Sequence, residues 1–334
     1  MNVPQDGNYM THIRFANGST ADRKMKVYVN GNTDMFWEQS FTGTGAWTDW
    51  TEFGIVLPLK AGANTIKFVS AVAGQGGPNL DYITLTLTDE PYAEPYDPSQ
   101  EQQQLDENNP TIYIAGDSTV QSYRAQYAPQ QGWGYYLGDY FTDNVNVANH
   151  SIAGRSTKKF YDEGRWNTIA ENLKRGDYVM IQFAINDSGA SNADRYAPTC
   201  GNVDNPSEGS YEWYMTEFIK SAQAKEATPI LVTTVIGMKA YSNGKFVNSY
   251  TNYCDACKNL AKKYNIPCID LNTIMVNHYN SVGYNTALTY HLMGVVEGST
   301  DGTHFCETGA NIVAGLVAKA VKDQKISGLA EYVK

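Results

Sequence analysis

The chain has 334 residues, 42% of them hydrophobic and 12% aromatic, and a net charge of −10. That length favours two domains, or one with insertions. No run approaches the roughly 18 apolar residues of a membrane span, and no basic stripe suits nucleic acid.

The charge is uneven. Residues 1–90 carry −3, residues 91–110 carry −5, and residues 111–334 carry −2. The C-terminal body is therefore nearly neutral and would not strongly repel an anionic substrate. Most of the aromatic excess is tyrosine, 24 residues, which suits β-strands and the stacking of sugar rings equally.

Along residues 1–90, short runs of β-formers cover 9–17, 24–32, 54–71 and 80–88, separated by turn signals such as Asn30-Gly31 and Ala61-Gly62-Ala63-Asn64. That spacing predicts an all-β sandwich. The Asn30-Gly31 turn, the Trp47-Thr48-Asp49-Trp50 segment, residues 61–68 (AGANTIKF) and residues 77–83 (GPNLDYI) resemble carbohydrate-binding module families 35 and 6 over residues 8–88. The resemblance implies sugar binding through Asn79 and Trp47. For Trp47 a core position is the competing reading, because Trp50 is close and two surface platforms there are hard to build. That family also holds structural calcium through acidic residues on a first strand. Here that strand is expected to be missing or clipped, which argues against calcium.

Residues 91–110 are rich in Pro, Gln and acidic side chains. They cannot bury enough to fold alone, and like charges favour extension, so they are read as a linker.

From 111 to 334 strands alternate with helices. Strands are expected at Thr111–Ala115, Val145–Asn149, Tyr178–Ala184, Pro229–Val235 and Pro267–Leu271. Helices are expected at Gly134–Phe141, Trp166–Leu173, Tyr211–Lys225, Tyr250–Tyr264 and Thr308–Lys322. This order predicts a flavodoxin-like three-layer α/β domain with a parallel sheet. Ligands in such folds bind beyond the carboxyl ends of the strands. At those ends lie Gly116-Asp117-Ser118, Gly154, Asn186-Asp187 and, before the last helix, Asp301-Gly302-Thr303-His304.

The chemistry follows from these residue types. A serine hydroxyl needs a base, His304 can serve, and Asp301 three residues earlier can fix its tautomer. The backbone N–H groups of Ser118 and Gly154 and the amide of Asn186 can meet an oxyanion. The order GDS, G, ND, DxxH resembles the SGNH, or GDSL-type, hydrolases. Residues 112–120 (IYIAGDSTV), 149–157 (NHSIAGRST) and DGTH resemble the rhamnogalacturonan acetylesterase branch, carbohydrate esterase family 12. The third block departs from the family's usual glycine, any residue, Asn-Asp, because this chain has Ala184-Ile185-Asn186-Asp187.

The resemblance implies Ser118, Asp301 and His304 as catalytic triad, with Ser118, Gly154 and Asn186 as oxyanion hole and no catalytic metal. It implies a secreted esterase deacetylating plant polysaccharide, pectic rhamnogalacturonan first, whose signal peptide is absent from the sequence. The alternatives are an acetylxylan or other SGNH esterase or lipase, and an inactive carbohydrate-binding protein.

Other polar residues have plainer readings. Asp117 and Asp187 shape their turns. Arg155, Lys158, Lys159 and Arg165 read as solvated helix surface, with Arg155 the one that could instead meet a uronate carboxylate. His150 and His291 could line the cleft, whereas His12 and His278 are bland. Cys254 and Cys257, on one helical face, read as packing residues, as does Cys306. Residues 188–210 and 279–300 are read as insertions shaping the cleft.

Overall fold

Strict alternation decides the first unit. On strand β2 (Gly7–Ala16), Tyr9, Thr11, Ile13 and Phe15 are buried, while the residues between them are partly exposed. One face therefore joins a core and the other meets solvent. The structure is a computed structural model describing residues 1–32, 35–72, 75–90, 92, 95, 105–123 and 127–334. The chain divides after residue 100 into two units. Most of the expected linker, 91–110, lies outside the described residues.

The first unit is an all-β sandwich. Its strands are β1 (Asn2–Val3), β2, β3 (Met25–Val29), β4 (Trp37–Gln39), β5 (Thr51–Leu59), β6 (Gly62–Ala63), β7 (Ile66–Ser70) and β8 (Asn79–Thr88). They form antiparallel sheets in the orders β5-β2-β8 and β4-β3-β7, with a small β1-β6 pair. Phe15, Phe41 and Phe53 meet edge to face in the core, with Phe41 centroids 4.9 and 5.0 Å from the other two. Asn30 and Gly31 both have positive φ, 54° and 71°, and Asn32 N–H donates to Val29 O at 3.2 Å. That is the tight turn the Asn-Gly pair predicts.

The second unit carries β9 (Thr111–Gly116), β10 (Asn146–Asn149), β11 (Tyr178–Gln182), β12 (Thr228–Val232), a short hairpin β13 (Tyr241–Ser242) and β14 (Lys245–Phe246), and β15 (Cys268–Ile269). Five of them make one parallel sheet in the order β10-β9-β11-β12-β15. The helices are α1 (Thr157–Asp162), α2 (Arg165–Asn172), α3 (Tyr211–Ala224), α4 (Thr251–Tyr264), α5 (Leu271–Val282), α6 (Tyr284–Leu288), α7 (Leu292–Val295) and α8 (Glu307–Asp323).

All six residues of β9 are buried, because its two faces serve two cores. Ile112 and Ile114 pack with α5 and α8, whereas Tyr113 and Ala115 pack with α2, α3 and α4. On the second side Phe218 is fully buried and stacks on Trp166 at 4.4 Å. Burial of such a ring contributes about 1.5–3 kcal/mol.

Strand order reverses at β9, since its neighbours β10 and β11 both follow it in sequence. A ligand crevice belongs at the carboxyl ends beside that reversal.

Two expectations need correction. Gly134–Phe141 is not an α-helix but two 3₁₀ turns, Trp133–Tyr135 and Leu137–Tyr140. Its course is set by close approach: a Cβ on Gly134 would lie 2.4 Å from the Asn149 amide. Pro267–Leu271 shrinks to a two-residue strand, because Asp270 caps α5 by accepting the Thr273 N–H at 3.3 Å. Residues 279–300 hold the end of α5 with α6 and α7.

Cys254 and Cys257 face the core on α4. Burial pushes the Cys254 thiol up to about 12. Among the described residues no helix is long and apolar enough to cross a membrane.

Candidate active site

Four loops meet at the carboxyl edge of the sheet, and each is held by its own acid or amide. After β9, Asp117 Oδ1 accepts hydrogen bonds from Thr119 N–H (2.9 Å) and the Thr119 hydroxyl (2.7 Å). This turn leaves Ser118 at its tip. The Thr119 hydroxyl also accepts from Gln182 Nε2 at 3.0 Å, and Gln182 Oε1 accepts from Trp133 Nε1 at 2.9 Å. Asp117, Thr119, Gln182 and Trp133 are all fully buried. A connected buried chain of this kind fixes one conformation.

After β10, the Ala153 N–H donates to Gln121 Oε1, and Gly154 turns with φ +76°. That conformation favours glycine. A Cβ there would meet nothing within 4 Å, so the glycine also borders open space. Ser156 then caps α1 by accepting the Lys159 N–H at 3.1 Å. After β11, Asp187 Oδ1 takes the Thr157 N–H (2.9 Å) and the Thr157 hydroxyl, tying this loop to the start of α1. Asn186 Nδ2 donates to Arg155 O at 2.9 Å. Asn186 thus sits against the Gly154 turn.

Before α8, Asp301 Oδ1 accepts the N–H groups of Thr303 (2.9 Å) and His304 (3.0 Å). Its other oxygen lies 2.7 Å from His304 Nδ1, and His304 Nε2 lies 2.8 Å from Ser118 Oγ. With Nδ1–H donating to the carboxylate, Nε2 is left to accept the serine proton. Gly302 lets this loop close: its Cβ would stand 2.8 Å from Met238 Cβ. The His304 and Asp301 side chains are 29% and 36% exposed, so solvent and substrate reach them.

The backbone N–H groups of Ser118 and Gly154 have no partner among the described residues. Asn186 keeps one N–H beyond the bond to Arg155. Three N–H donors on these loops are therefore left without a partner among the described residues.

Burial works to raise the Asp301 pKa, but the His304 amide and imidazole and the Thr303 amide outweigh it and hold it below the usual value. Asp117 and Asp187 go the other way. Burial raises both, Asp187 to about 7, with the charge of Asp117 adding to the rise in Asp187. In each, Oδ2 has no partner among the described residues.

Several expected site residues lie elsewhere. Arg155 is 9% exposed, and its guanidinium is engaged by Glu163 (3.0 Å) and Ala153 O (2.8 Å). Arg165, also nearly buried, pairs with the same carboxylate. Neither is solvated helix surface, and Arg155 braces the Gly154 loop instead of facing a substrate. His291 is fully buried, bonds Tyr279 OH at 2.8 Å, and is pushed down to about 4 by burial, so it does not line the cleft. His150 is half-buried, its ring 5.7 Å from that of Tyr113. Gln121, Gln182 and Trp133 were not singled out in the sequence. Their signal is a polar residue within or beside a buried apolar run.

In the first unit Asn79 and Trp47 come together, with Asn79 Nδ2 donating to Trp47 O at 3.3 Å. Trp47 and Trp50 are both exposed, 41% and 38%, so neither is a core residue. Room for both arises because each ring sits under an arginine, Arg23 at 4.9 Å and Arg14 at 5.1 Å. Among the described residues no three acidic, His or Cys side chains converge.

A family model for GDSL-like lipase/acylhydrolases matches residues 114–309, the span that holds all four loops. The chain belongs to that family. Two relatives of this GDSL hydrolase come from Bacillus subtilis (strain 168). One is YesY, named a probable rhamnogalacturonan acetylesterase, 36% identical over 212 residues that cover 64% of this chain and 92% of YesY. The other is the rhamnogalacturonan acetylesterase RhgT, 33% identical over 219 residues, covering 64% and 89%. The N-terminal region matches a family 35 carbohydrate binding module from Clostridium thermocellum at 43% identity, over 26% of this chain and 66% of that one, with a TM-score of 0.24.

Proposed function

We propose that this GDSL hydrolase removes acetyl groups from plant cell-wall polysaccharide, with pectic rhamnogalacturonan as substrate, through an acetyl-Ser118 intermediate. The observation that carries the reading is the unbroken run from Asp301 through His304 to Ser118, at 2.7 and 2.8 Å. Its relatives YesY and RhgT support the substrate.

His304 Nε2 takes the Ser118 proton as Oγ attacks the acetyl carbonyl carbon. The carbonyl oxygen becomes an oxyanion and receives the N–H groups of Ser118, Gly154 and Asn186. Collapse expels the sugar oxygen, which takes the proton from His304. Water then gives a proton to His304 and attacks the acetyl ester. A second collapse releases acetate and returns the proton to Ser118. Preformed donors suit this path, because they need no rearrangement when charge appears.

The first unit, through Trp47 and Asn79, would hold the enzyme on its polymer and raise the local substrate concentration. A polymer of that size is met outside the cell, so the protein is secreted in this reading.

Acetate release from acetylated rhamnogalacturonan, acetylated xylan and long-chain esters tests the proposal. The first substrate should react fastest, and Ser118→Ala should lose roughly 10⁴-fold or more in kcat. Faster reaction on xylan or long-chain esters would refute the substrate. Residual activity near wild type in Ser118→Ala would refute the mechanism.

A further inference from the structure

Arg195 lies nine residues after Asn186, in a loop that folds back on itself. Gly189 N–H donates to Asn186 O (3.2 Å), Arg195 N–H to Asn192 O (3.2 Å) and Ala197 N–H to Asp187 O (3.1 Å). This course returns the Arg195 side chain to the site, where Nη1 donates to Asn186 Oδ1 at 3.1 Å. The Asn186 amide is thus held at both ends, by Arg195 at its oxygen and by Arg155 O at its nitrogen. Its second N–H is fixed in direction as a result.

The guanidinium itself is not neutralised. Arg155 and Arg165 share Glu163, but Arg195 has no carboxylate within ion-pair distance among the described residues. Its Nε is buried and lacks a hydrogen-bond partner there. A ligand cannot reach that buried nitrogen, but the partly exposed cation as a whole, with no carboxylate partner among the described residues and one hydrogen bond away from the Asn186 amide, suits an anion. A planar fork matches a carboxylate better than any other anionic group found on a pectic sugar.

We propose that Arg195 binds the carboxylate of a uronosyl residue of the substrate while positioning Asn186. This takes the place first considered for Arg155, and it rests on the pectic reading above. The enzyme is therefore selective for acetylated sugars whose uronate is free and not methyl-esterified.

The test uses the full chain on an acetylated uronate-containing oligosaccharide, the same oligosaccharide with its carboxyls methyl-esterified, and p-nitrophenyl acetate. Wild type should show the lower KM on the free acid. Arg195→Gln should raise that KM roughly tenfold or more, the scale of a lost charged hydrogen bond, and leave KM on the methyl ester unchanged. Arg195→Lys should fall between. Because Arg195 also positions Asn186, kcat on p-nitrophenyl acetate should fall in Arg195→Gln.

Equal KM values for the two oligosaccharides in wild type overturn the carboxylate site, whatever the variants do. So does an unchanged ratio in Arg195→Gln. Wild type that cleaves p-nitrophenyl acetate but neither oligosaccharide overturns the pectic reading itself, and the carboxylate site with it.

Discussion

Asp187→Asn isolates one buried carboxyl with little change of shape. Asn can still accept both Thr157 hydrogen bonds at Oδ1, and Oδ2 has no partner to lose among the described residues. In the folded chain burial lifts Asp187 from 3.8 to about 7. Below about pH 4 the group is protonated in both folded and unfolded chains, and its contribution is fully present. Between about 4 and 7 only the unfolded chain ionises, so stability falls as pH rises. Above about 7 both forms are ionised and the loss is complete. A span of roughly three pH units sets a ceiling of about 4 kcal/mol. Asn does not titrate, so the stability of Asp187→Asn relative to wild type should climb by about 1 kcal/mol per pH unit across that window. Urea unfolding of both proteins at pH 4.5, 5.5 and 6.5 measures it, and groups common to both cancel in the difference. A difference that stays flat with pH would mean that Asp187 ionises normally. The reasoning about its burial would then be wrong.

Three further outcomes are expected. Asn186→Ala should lower kcat on p-nitrophenyl acetate by roughly 10²–10³-fold through loss of one oxyanion donor, read from steady-state kinetics, and a change confined to KM would count against that role. Gly302→Ala should cost about 1–3 kcal/mol, because the added Cβ meets Met238 at 2.8 Å. It should lower kcat by shifting His304, measured by thermal unfolding and rates on the same ester. Trp47→Ala should weaken retention on acetylated pectin in pull-down and leave kcat on p-nitrophenyl acetate unchanged; equal retention removes Trp47 from the sugar surface.

The four loops were legible because each reactive residue directly follows a buried apolar run or precedes a long amphipathic helix. Period and position together told where the chain would turn and what it would present. What stayed hidden was set by partners distant in sequence. Nothing near Arg155 says that Glu163 and Ala153 O will claim it. Nothing near Arg195 says that the loop will carry it back to Asn186. The two tryptophans misled for a similar reason, since the arginines that cover them come from earlier strands or loops. Two helix starts were readable in hindsight. Ser156 and Asp270 both cap by accepting an N–H three residues on, a polar signal that periodicity overlooks.

The chain of side chains from Trp133 through Gln182 and Thr119 to Asp117 has a mechanical consequence. Gln182 is the last residue of a central strand, so the turn bearing Ser118 is bolted to the middle of the sheet as well as to its own flanks. Surface loops ordinarily trade their amide hydrogens with solvent long before the sheet beneath them opens. Here the Thr119 amide should wait for the sheet, and the nucleophile keeps its aim for as long as the domain is folded.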